Sequence, residues 1–391
     1  MADRAVRGRP ARRPGAVALS GVLFVAALLL SACTSPPRSL EAVWLLQDLA
    51  ADASPTRLER RHPEVERRDH RLPATTTAPE TVADSYRSDN QRRGVLVLVH
   101  GFSEEGRRDP RLVEFAHTLA RSGFLVFVPE LPGLRDLSVS TREIAALQAG
   151  FAYALETFPA ARDQAIGGMA LSLAVGPLLL AAKDAALREE IDFLVGVGGY
   201  HALPDALRFI TTGVDIVDGQ TVATRTPAES GRWLVLASQA HWIDDPDQQA
   251  LLAEIAERRI EDGRADVDDL LDQLDADGKA MFALTDNRDP DAVDSLLENL
   301  PADALAELHA LDLARRDLSA LDAAVVLIHG RDDRVIPISH SRRLSARLAE
   351  NNRSVWLYET GALGHVDVQP GLIEGFALWR ATRRILLLGE G

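Results

Sequence analysis

The 391-residue sequence predicts an α/β fold, in which a mainly parallel sheet is flanked by helices and interrupted by a long helical insertion. The first observation is a series of short, continuous apolar runs, as expected for strands that are buried on both faces. The second is that segments with helical apolar spacing alternate with these runs, which is the pattern of a parallel sheet covered by helices. The third is that this alternation stops between residues 203 and 321, where the spacing indicates helices alone.

The alternation becomes strong at residue 94. Before it, a helix is predicted over residues 40–49, and two leading strands are predicted over residues 67–72 and 81–86. Buried strands are then predicted over residues 94–99, 124–128, 164–169 and 192–197. Apolar side chains recur at three- and four-residue spacing in the helices between them, predicted over residues 110–122, 147–158 and 177–188.

After the insertion the same pattern returns. Strands are predicted over residues 323–328 and 354–358, and helices over residues 340–348 and 372–387. Within the insertion, the apolar run at residues 233–237 has flanks that suit a helix better than a strand. Because connections this long in compact domains are usually functional, we expect the insertion to form a helical cap over the carboxyl ends of the strands.

Negative charge is concentrated in one part of the chain. The formal net charge is -15, which argues against nucleic-acid binding because phosphates require a basic face. Residues 244–312 contain 21 acidic and 5 basic side chains, and we interpret this run as the solvated faces of cap helices. A calcium loop at residues 275–278 is rejected, because Gln273 and Leu284 stand where carboxylates are required.

The N-terminal residues have the order of a signal peptide. Residues 1–13 carry five arginines, and residues 15–30 form an apolar run that is shorter than a typical transmembrane helix. The stretch LSAC at residues 30–33 then resembles the bacterial lipobox, in which the cysteine is lipidated and becomes the mature N-terminus. An ordinary secretory signal is the alternative. Because Cys33 is the only cysteine, we expect lipidation there and export to the bacterial cell envelope, at the outer membrane if the organism is Gram-negative.

The composition and these patterns divide the chain into five segments. With 46% hydrophobic and 26% charged residues, the chain falls outside the disordered and collagen-like classes. The predicted segments are a signal peptide (1–32), a lipid-anchor tether with an N-terminal helix (33–65), the first part of the core (66–210), a helical acidic cap (211–321) and the second part of the core (322–391).

A candidate nucleophile lies in the stretch AIGGMALSLAVG, residues 165–176, between a predicted strand and a predicted helix. A sharp strand-to-helix turn at this point would expose Ser172. A frame that puts Ala170 at the nucleophile position instead would move Pro177 deeper into the helix, where proline costs about 3 kcal/mol. We therefore predict Ser172 as the nucleophile, with a purely structural serine as the alternative.

Two further candidates follow later strands. Asp333 lies directly after the strand predicted to end at residue 328, and His365 lies after the last predicted strand. A serine hydroxyl becomes a strong nucleophile when an imidazole takes its proton, and a carboxylate orients that imidazole. For Asp333 the alternative is a residue that simply caps the turn before His340, and Asp332 is the neighbouring candidate for the acid; we favour Asp333 because Val-Ile-Pro follows it.

Backbone amides complete the pattern. The motif His-Gly-Phe at residues 100–102 follows the first strong strand, where an oxyanion site would need an N–H group. We expect the amides of Phe102 and Leu173 to face a developing oxyanion. His100 and His329, which each precede a glycine at a strand end, are interpreted as structural. His201 and His241 are weaker pocket candidates to which no role is assigned.

Taken in chain order, these residues resemble the α/β-hydrolase superfamily over residues 95–209 and 323–388. The resemblance rests on residues 100–102, Ser172, the turn from Gly330 to Pro337, and Gly364-His365. It implies the α/β-hydrolase fold, with the cap inserted before the acid-bearing strand, and serine esterase, lipase, thioesterase or peptidase activity. The sequence departs from the family where Ala170 and Ala174 replace the glycines of Gly-x-Ser-x-Gly, which puts the nucleophile in question more than the fold.

The resulting prediction is a carboxylic ester hydrolase that works through Ser172, Asp333 and His365 and an acyl-enzyme. A peptidase or thioesterase of the same fold, or a non-catalytic binding protein, is the alternative. Aspartate-nucleophile chemistry is disfavoured because no carboxylate stands at the turn. No metal or organic cofactor is implied. The expected partners are a small ester or acyl substrate and, through the lipid anchor, a membrane.

Overall fold

A central sheet of eight strands organises the molecule. The computed structural model describes residues 36–51, 54–350, 354–365 and 375–391. The strands of the large sheet are β1 (Val65–Leu72), β2 (Thr81–Ser88), β3 (Val95–Leu98), β4 (Leu125–Pro129), β5 (Ile166–Leu171), β6 (Phe193–Val197), β9 (Ala324–Gly330) and β10 (Val355–Thr360). A separate hairpin consists of β7 (Val214–Val217) and β8 (Gln220–Thr224).

The strand order is β1-β2-β4-β3-β5-β6-β9-β10. Strand β2 is antiparallel to both of its neighbours, and all other adjacent pairs in the large sheet are parallel. The central strand β3 is fully buried, as its continuous Val-Leu-Val-Leu run predicts. The edge strand β1 carries exposed charged side chains instead, which disfavour pairing with another chain.

Helices cover both faces of the sheet and build the insertion. The core helices are α1 (Pro36–Leu49), α2 (Arg57–Arg61), α3 (Pro110–Arg121), α4 (Pro132–Arg135), α5 (Arg142–Thr157), α6 (Ala160–Asp163), α7 (Val175–Ala182), α15 (Ser339–Glu350) and α16 (Gly375–Leu388). The helices of the insertion are α8 (Leu203–Thr212), α9 (Glu229–Gln239), α10 (Pro246–Glu261), α11 (Asp268–Leu271), α12 (Ala276–Asp286), α13 (Val293–Glu298) and α14 (Ala302–Leu311). None of the helices in the described ranges is long and apolar enough to cross a membrane.

Two apolar clusters form the core. One contains α5, α7 and α15 on one side of the sheet and continues into the buried side chains of the insertion, such as Trp233 and Ile255. The other contains side chains of α1, α3 and α16 on the opposite side. The fold is therefore a mainly parallel sheet covered on both faces, as the sequence predicts.

The prediction that the insertion contains helices alone was wrong at β7 and β8. Two strands pair there through a two-residue turn at Asp218 and Gly219, whose φ angles are 51° and 74°. Asp-Gly is a strong signal for such a turn, because both central residues must adopt positive φ. The apolar run at residues 233–237 lies in helix α9, as expected.

Helix α7 is also shorter than the predicted range of residues 177–188. It ends at Ala182, and the side chain of Asp184 then accepts a hydrogen bond from the backbone N–H of Ala186 at 2.9 Å. Such a local bond competes with helix continuation. The predicted signal peptide and Cys33 lie outside the described residues, as does the start of the helix predicted over residues 372–387.

Candidate active site

The structure brings Ser172, His365 and Asp333 together at the carboxyl ends of three strands. Ser172 Oγ lies 2.7 Å from His365 Nε2, and His365 Nδ1 lies 2.8 Å from Asp333 Oδ2. Ser172 follows β5 directly, Asp333 follows β9, and His365 follows β10. Residues far apart in the sequence therefore form one continuous hydrogen-bonded chain.

Ser172 occupies a tight turn between β5 and α7. Leu171 still has an extended backbone, and Ser172 has a φ of 55°. It is one of three non-glycine residues with φ in the left-handed region within the described ranges. This conformation costs on the order of 1–3 kcal/mol and persists only where the surroundings enforce it. Here the buried strand on one side and the helix on the other hold the serine at the turn.

Glycines of β6 and of the loop after it lie close to the turn and the start of helix α7. Ala170 is fully buried and pairs with Gly196 of β6. A Cβ atom at Gly196 would lie 2.9 Å from Val175 Cγ1, and one at Gly199 would lie 2.7 Å from the same atom. The space that Val175 of helix α7 occupies is thus left open by glycines of β6 and of the loop after it.

Pro177 lies in the first turn of α7, which begins at Val175. Backbone N–H groups in the first turn have no intrahelical acceptor, so the missing N–H of proline removes no hydrogen bond there. This position agrees with the sequence frame that places Ser172, not Ala170, at the turn.

The Asp333 carboxylate is buried and surrounded by donors. Its Oδ1 accepts hydrogen bonds from the backbone N–H groups of Val335 at 2.8 Å and Ile336 at 3.0 Å. Burial alone would raise the pKa of Asp333, but hydrogen bonds from His329 and His365 outweigh it and lower the pKa to about 2. The carboxylate is therefore ionised at neutral pH. Asp332 is instead exposed and pairs with Arg225 at 2.9 Å.

The tautomer of His365 follows from its partners. An ionised carboxylate only accepts hydrogen bonds, so His365 Nδ1 carries the hydrogen that faces Asp333. Nε2 is then the lone-pair nitrogen that accepts the hydroxyl hydrogen of Ser172. Gly198, with a φ of 64°, lies beneath this ring, where a Cβ atom would be 3.5 Å from the ring atoms and 3.2 Å from the His365 carbonyl oxygen.

Phe102 and Leu173, the predicted amide donors, follow β3 and Ser172 respectively. No protein acceptor is found for either backbone N–H outside helix-internal bonds in the part of the chain that the structure describes. The loop that carries Phe102 is fixed by buried His100, whose Nε2 accepts from the Leu131 N–H at 2.9 Å and whose Nδ1 lies 2.9 Å from the Gly101 carbonyl oxygen. The oxyanion role of the Phe102 and Leu173 amides stays a prediction.

The other histidines make different contacts. Burial lowers the pKa of both His201 and His241 to about 4, so both rings are neutral at pH 7. Neither ring has a hydrogen-bond partner within the described ranges. His329, interpreted from the sequence as structural, lies 3.3 Å from Asp333 through Nε2; spacing along the chain gives no signal of this contact. Among the described residues, no cluster of His, Cys, Asp and Glu is suited to hold a metal ion.

No protein-family profile and no curated protein sequence matches the chain. Several solved protein structures, in contrast, are similar to this chain. The rice cell wall degrading esterase LipA from Xanthomonas oryzae is similar over 83% of this chain and 89% of its own, with a TM-score of 0.51 and 14% identity. A Legionella pneumophila protein assigned as a hydrolase is similar over 85% of this chain and 93% of its own, with a TM-score of 0.52 and 12% identity.

A larger enzyme is less similar. The acylaminoacyl peptidase of Pyrococcus horikoshii has a TM-score of 0.44 and 13% identity, over 83% of this chain and 41% of the peptidase. This chain spans about two fifths of the peptidase's length, and a similarity at this TM-score says nothing about activity. The sheet order and the two more similar structures show that the chain has the α/β-hydrolase fold.

Proposed function

We propose that the chain is a serine hydrolase that cleaves carboxylic esters, with Ser172 as the nucleophile. In this proposal His365 acts first as a base and then as an acid, and Asp333 orients it. The observation that carries the proposal is the unbroken chain of hydrogen bonds from Ser172 Oγ through His365 to Asp333, at 2.7 and 2.8 Å. Such distances are those of a nucleophile poised beside its base.

The first half of the proposed reaction forms an acyl-enzyme. Ser172 Oγ attacks the ester carbonyl carbon while its proton moves to His365 Nε2. The resulting oxyanion accepts hydrogen bonds from the N–H groups of Phe102 and Leu173, which stabilise charge that is absent from the ground state. The imidazolium then gives its proton to the departing alkoxide, so an alcohol leaves and the acyl group remains on Ser172.

The second half regenerates the enzyme. A water molecule gives a proton to His365 Nε2 as its oxygen attacks the acyl carbon, through the same oxyanion site. The proton returns to Ser172 Oγ when the carbon–oxygen bond breaks, and a carboxylic acid leaves. Throughout, the buried Asp333 carboxylate remains ionised and stabilises the charged imidazolium.

The most direct test of this chemistry is Ser172→Ala assayed with p-nitrophenyl esters. The substitution removes the attacking oxygen and leaves the backbone turn and the partner side chains in place. We expect ester turnover to fall by at least about 10⁴-fold, because only the oxyanion site and substrate binding remain. Turnover that is unchanged in the variant would mean that Ser172 is not the nucleophile, and wild-type turnover no higher than the protein-free blank would favour the alternative of a non-catalytic binding protein.

Esters are proposed because they are common substrates of this fold, and a panel separates them from the alternatives. Matched acyl groups presented as an ester, a thioester and an aminoacyl amide test ester hydrolase, thioesterase and peptidase activity in turn. The ester proposal requires the highest kcat/KM on the ester. A higher value on the thioester or the amide reassigns the substrate class while leaving the nucleophile unchanged.

We also propose that the protein is exported and anchored through a lipid on Cys33. The support is the lipobox-like stretch at residues 30–33 and the absence of any other cysteine in the sequence. Metabolic labelling with a fatty-acid analogue in a bacterial host should label the chain, and Cys33→Ala should abolish the label. Labelling that persists in the variant would contradict the proposal.

A further inference from the structure

A buried histidine lies behind the proposed catalytic acid. His329 is the penultimate residue of β9 and, like Asp333, is almost completely buried. Its Nε2 lies 2.8 Å from the carbonyl oxygen of Ile336 and 3.3 Å from Asp333 Oδ2. Its Nδ1 lies 2.7 Å from Oγ of Ser341, a buried residue in α15. The ring thus connects helix α15 to the loop that carries the acid.

The partners of His329 determine where its hydrogen lies. A carbonyl oxygen and an ionised carboxylate both accept hydrogen bonds only, so Nε2 must carry a hydrogen. In the neutral ring Nδ1 is then the acceptor, and the Ser341 hydroxyl donates to it. The Ser341 contact therefore selects the tautomer whose N–H points at the acid loop.

Asp333 depends on donors because its carboxylate is buried. Oδ1 has two backbone donors, whereas the partners of Oδ2 among the described residues are the rings of His365 and His329. An N–H beside Oδ2 that does not move during the reaction limits rotation of the carboxylate. It keeps Oδ2 directed at His365 while the charge on that imidazole changes.

We propose that His329, oriented by Ser341, is a positioning residue that holds the Asp333 carboxylate in line with His365. This role rests on the proposed function of Ser172, His365 and Asp333. His329 touches no reacting atom and acts only through Asp333.

The loop that carries Asp333 is held by other contacts as well. A substitution of His329 should therefore misalign the Asp333 carboxylate without unfolding this loop. Ser339 Oγ donates to Asp215 of β7 at 3.0 Å, and Arg225 pairs with Asp332 at 2.9 Å. These contacts fix the outer side of the loop from the β7–β8 hairpin. We therefore expect variants at His329 to fold.

The test compares two substitutions of His329 in the full chain. His329→Leu removes the N–H and keeps an apolar filling, whereas His329→Gln keeps an amide N–H near the position of Nε2. We expect His329→Leu to lower kcat by about 100-fold with little change in KM, since a misplaced acid affects the reaction step more than binding. His329→Gln should recover most of this loss.

A spectroscopic readout separates positioning from packing. The hydrogen that His365 Nδ1 shares with Asp333 should give a low-field proton NMR signal that reports this bond directly. His329→Leu should shift or broaden the signal, and His329→Gln should restore it. His117→Leu is the matched control, because His117 is a partly buried histidine on helix α3 that packs against Tyr86, away from the triad; it should leave the signal and kcat unchanged.

Several results would overturn the proposal. Wild-type kcat and an unchanged signal in His329→Leu would do so, and so would a His329→Gln variant as impaired as His329→Leu. If His329→Leu does not unfold cooperatively and is therefore misfolded, Ser341→Ala is the deciding variant. It should lower kcat several-fold and shift the NMR signal. A wild-type kcat and an unchanged signal in Ser341→Ala would reject the positioning role of His329. If Ser172→Ala retains ester turnover, the proposed function fails instead, whereas the NMR signal still reports whether His329 holds Asp333.

Discussion

The strand ends of the core and the helices of the insertion use aspartate in opposite ways. At the end of β9, Asp333 is buried, and each of its oxygens faces two N–H donors. In the insertion, side chains such as Asp272 and Asp291 are exposed to solvent, while apolar residues such as Leu252 face inward. The concentration of charge therefore marks a mainly solvated surface, whereas the carboxylate of the candidate site is buried and hydrogen-bonded.

The largest expected effect separates two adjacent aspartates. Asp333→Asn should lower kcat by about 10⁴-fold, because a neutral amide can present an N–H to His365 and favour the wrong tautomer. Asp332→Asn is the matched control and should change kcat little, since that exposed side chain pairs with Arg225 on the surface. Steady-state kinetics of the two variants check the contrast, and equal losses would mean that the acid is misassigned.

Sequence patterns predict the core better than the insertion for a physical reason. Strand β3 and its parallel neighbours are buried on both faces, so their apolar runs identify them whatever their partners. In the β7–β8 hairpin, β7 is partly buried and β8 is mostly exposed, so that only the Asp218-Gly219 turn signals it. Similarly, the order of Ser172, Asp333 and His365 indicates a site, but the contact of His329 with Asp333 depends on side-chain packing that spacing does not encode.

The next effect tests how the core accommodates an alanine turn. Gly196→Ala would place a Cβ atom 2.9 Å from Val175 Cγ1, and we expect this overpacking to lower the free energy of unfolding by about 1–3 kcal/mol. Adding Val175→Ala should recover part of the loss by removing the atom that clashes. Urea unfolding of the single and double variants measures the coupling. Additive losses in the double variant would show that Gly196 does not make room for α7.

Lowering the pH should reduce the free energy of unfolding by an amount comparable to that of Gly196→Ala. Because the pKa of Asp333 is lowered to about 2, its ionised form stabilises the fold above about pH 4 and loses this contribution as the pH falls from about 4 to about 2. The contribution is about 2 kcal/mol. Asp333→Asn should flatten the pH dependence of the free energy of unfolding in this range, and Asp332→Asn should not. A slope unaffected by Asp333→Asn would contradict the ionised, hydrogen-bonded state.

The smallest effects are expected on the insertion. Glu257, Asp272 and Asp291 are exposed, so neutralising any of them to Gln or Asn should change the free energy of unfolding by less than about 0.5 kcal/mol. Removing one of many like charges should be slightly stabilising at low salt and neutral at high salt. Thermal unfolding at two salt concentrations measures this. A loss comparable to that of Gly196→Ala would show that the acidic surface has a structural partner.

The residue that a fluorophosphonate probe modifies identifies the nucleophile without reference to any substrate. The probe reacts with an activated serine, and peptide mass spectrometry locates the adduct. We expect one adduct on Ser172, which is lost in Ser172→Ala together with ester turnover and forms more slowly in Asp333→Asn. An adduct on another serine, or ester turnover that survives Ser172→Ala, would contradict the assignment of Ser172 as the nucleophile.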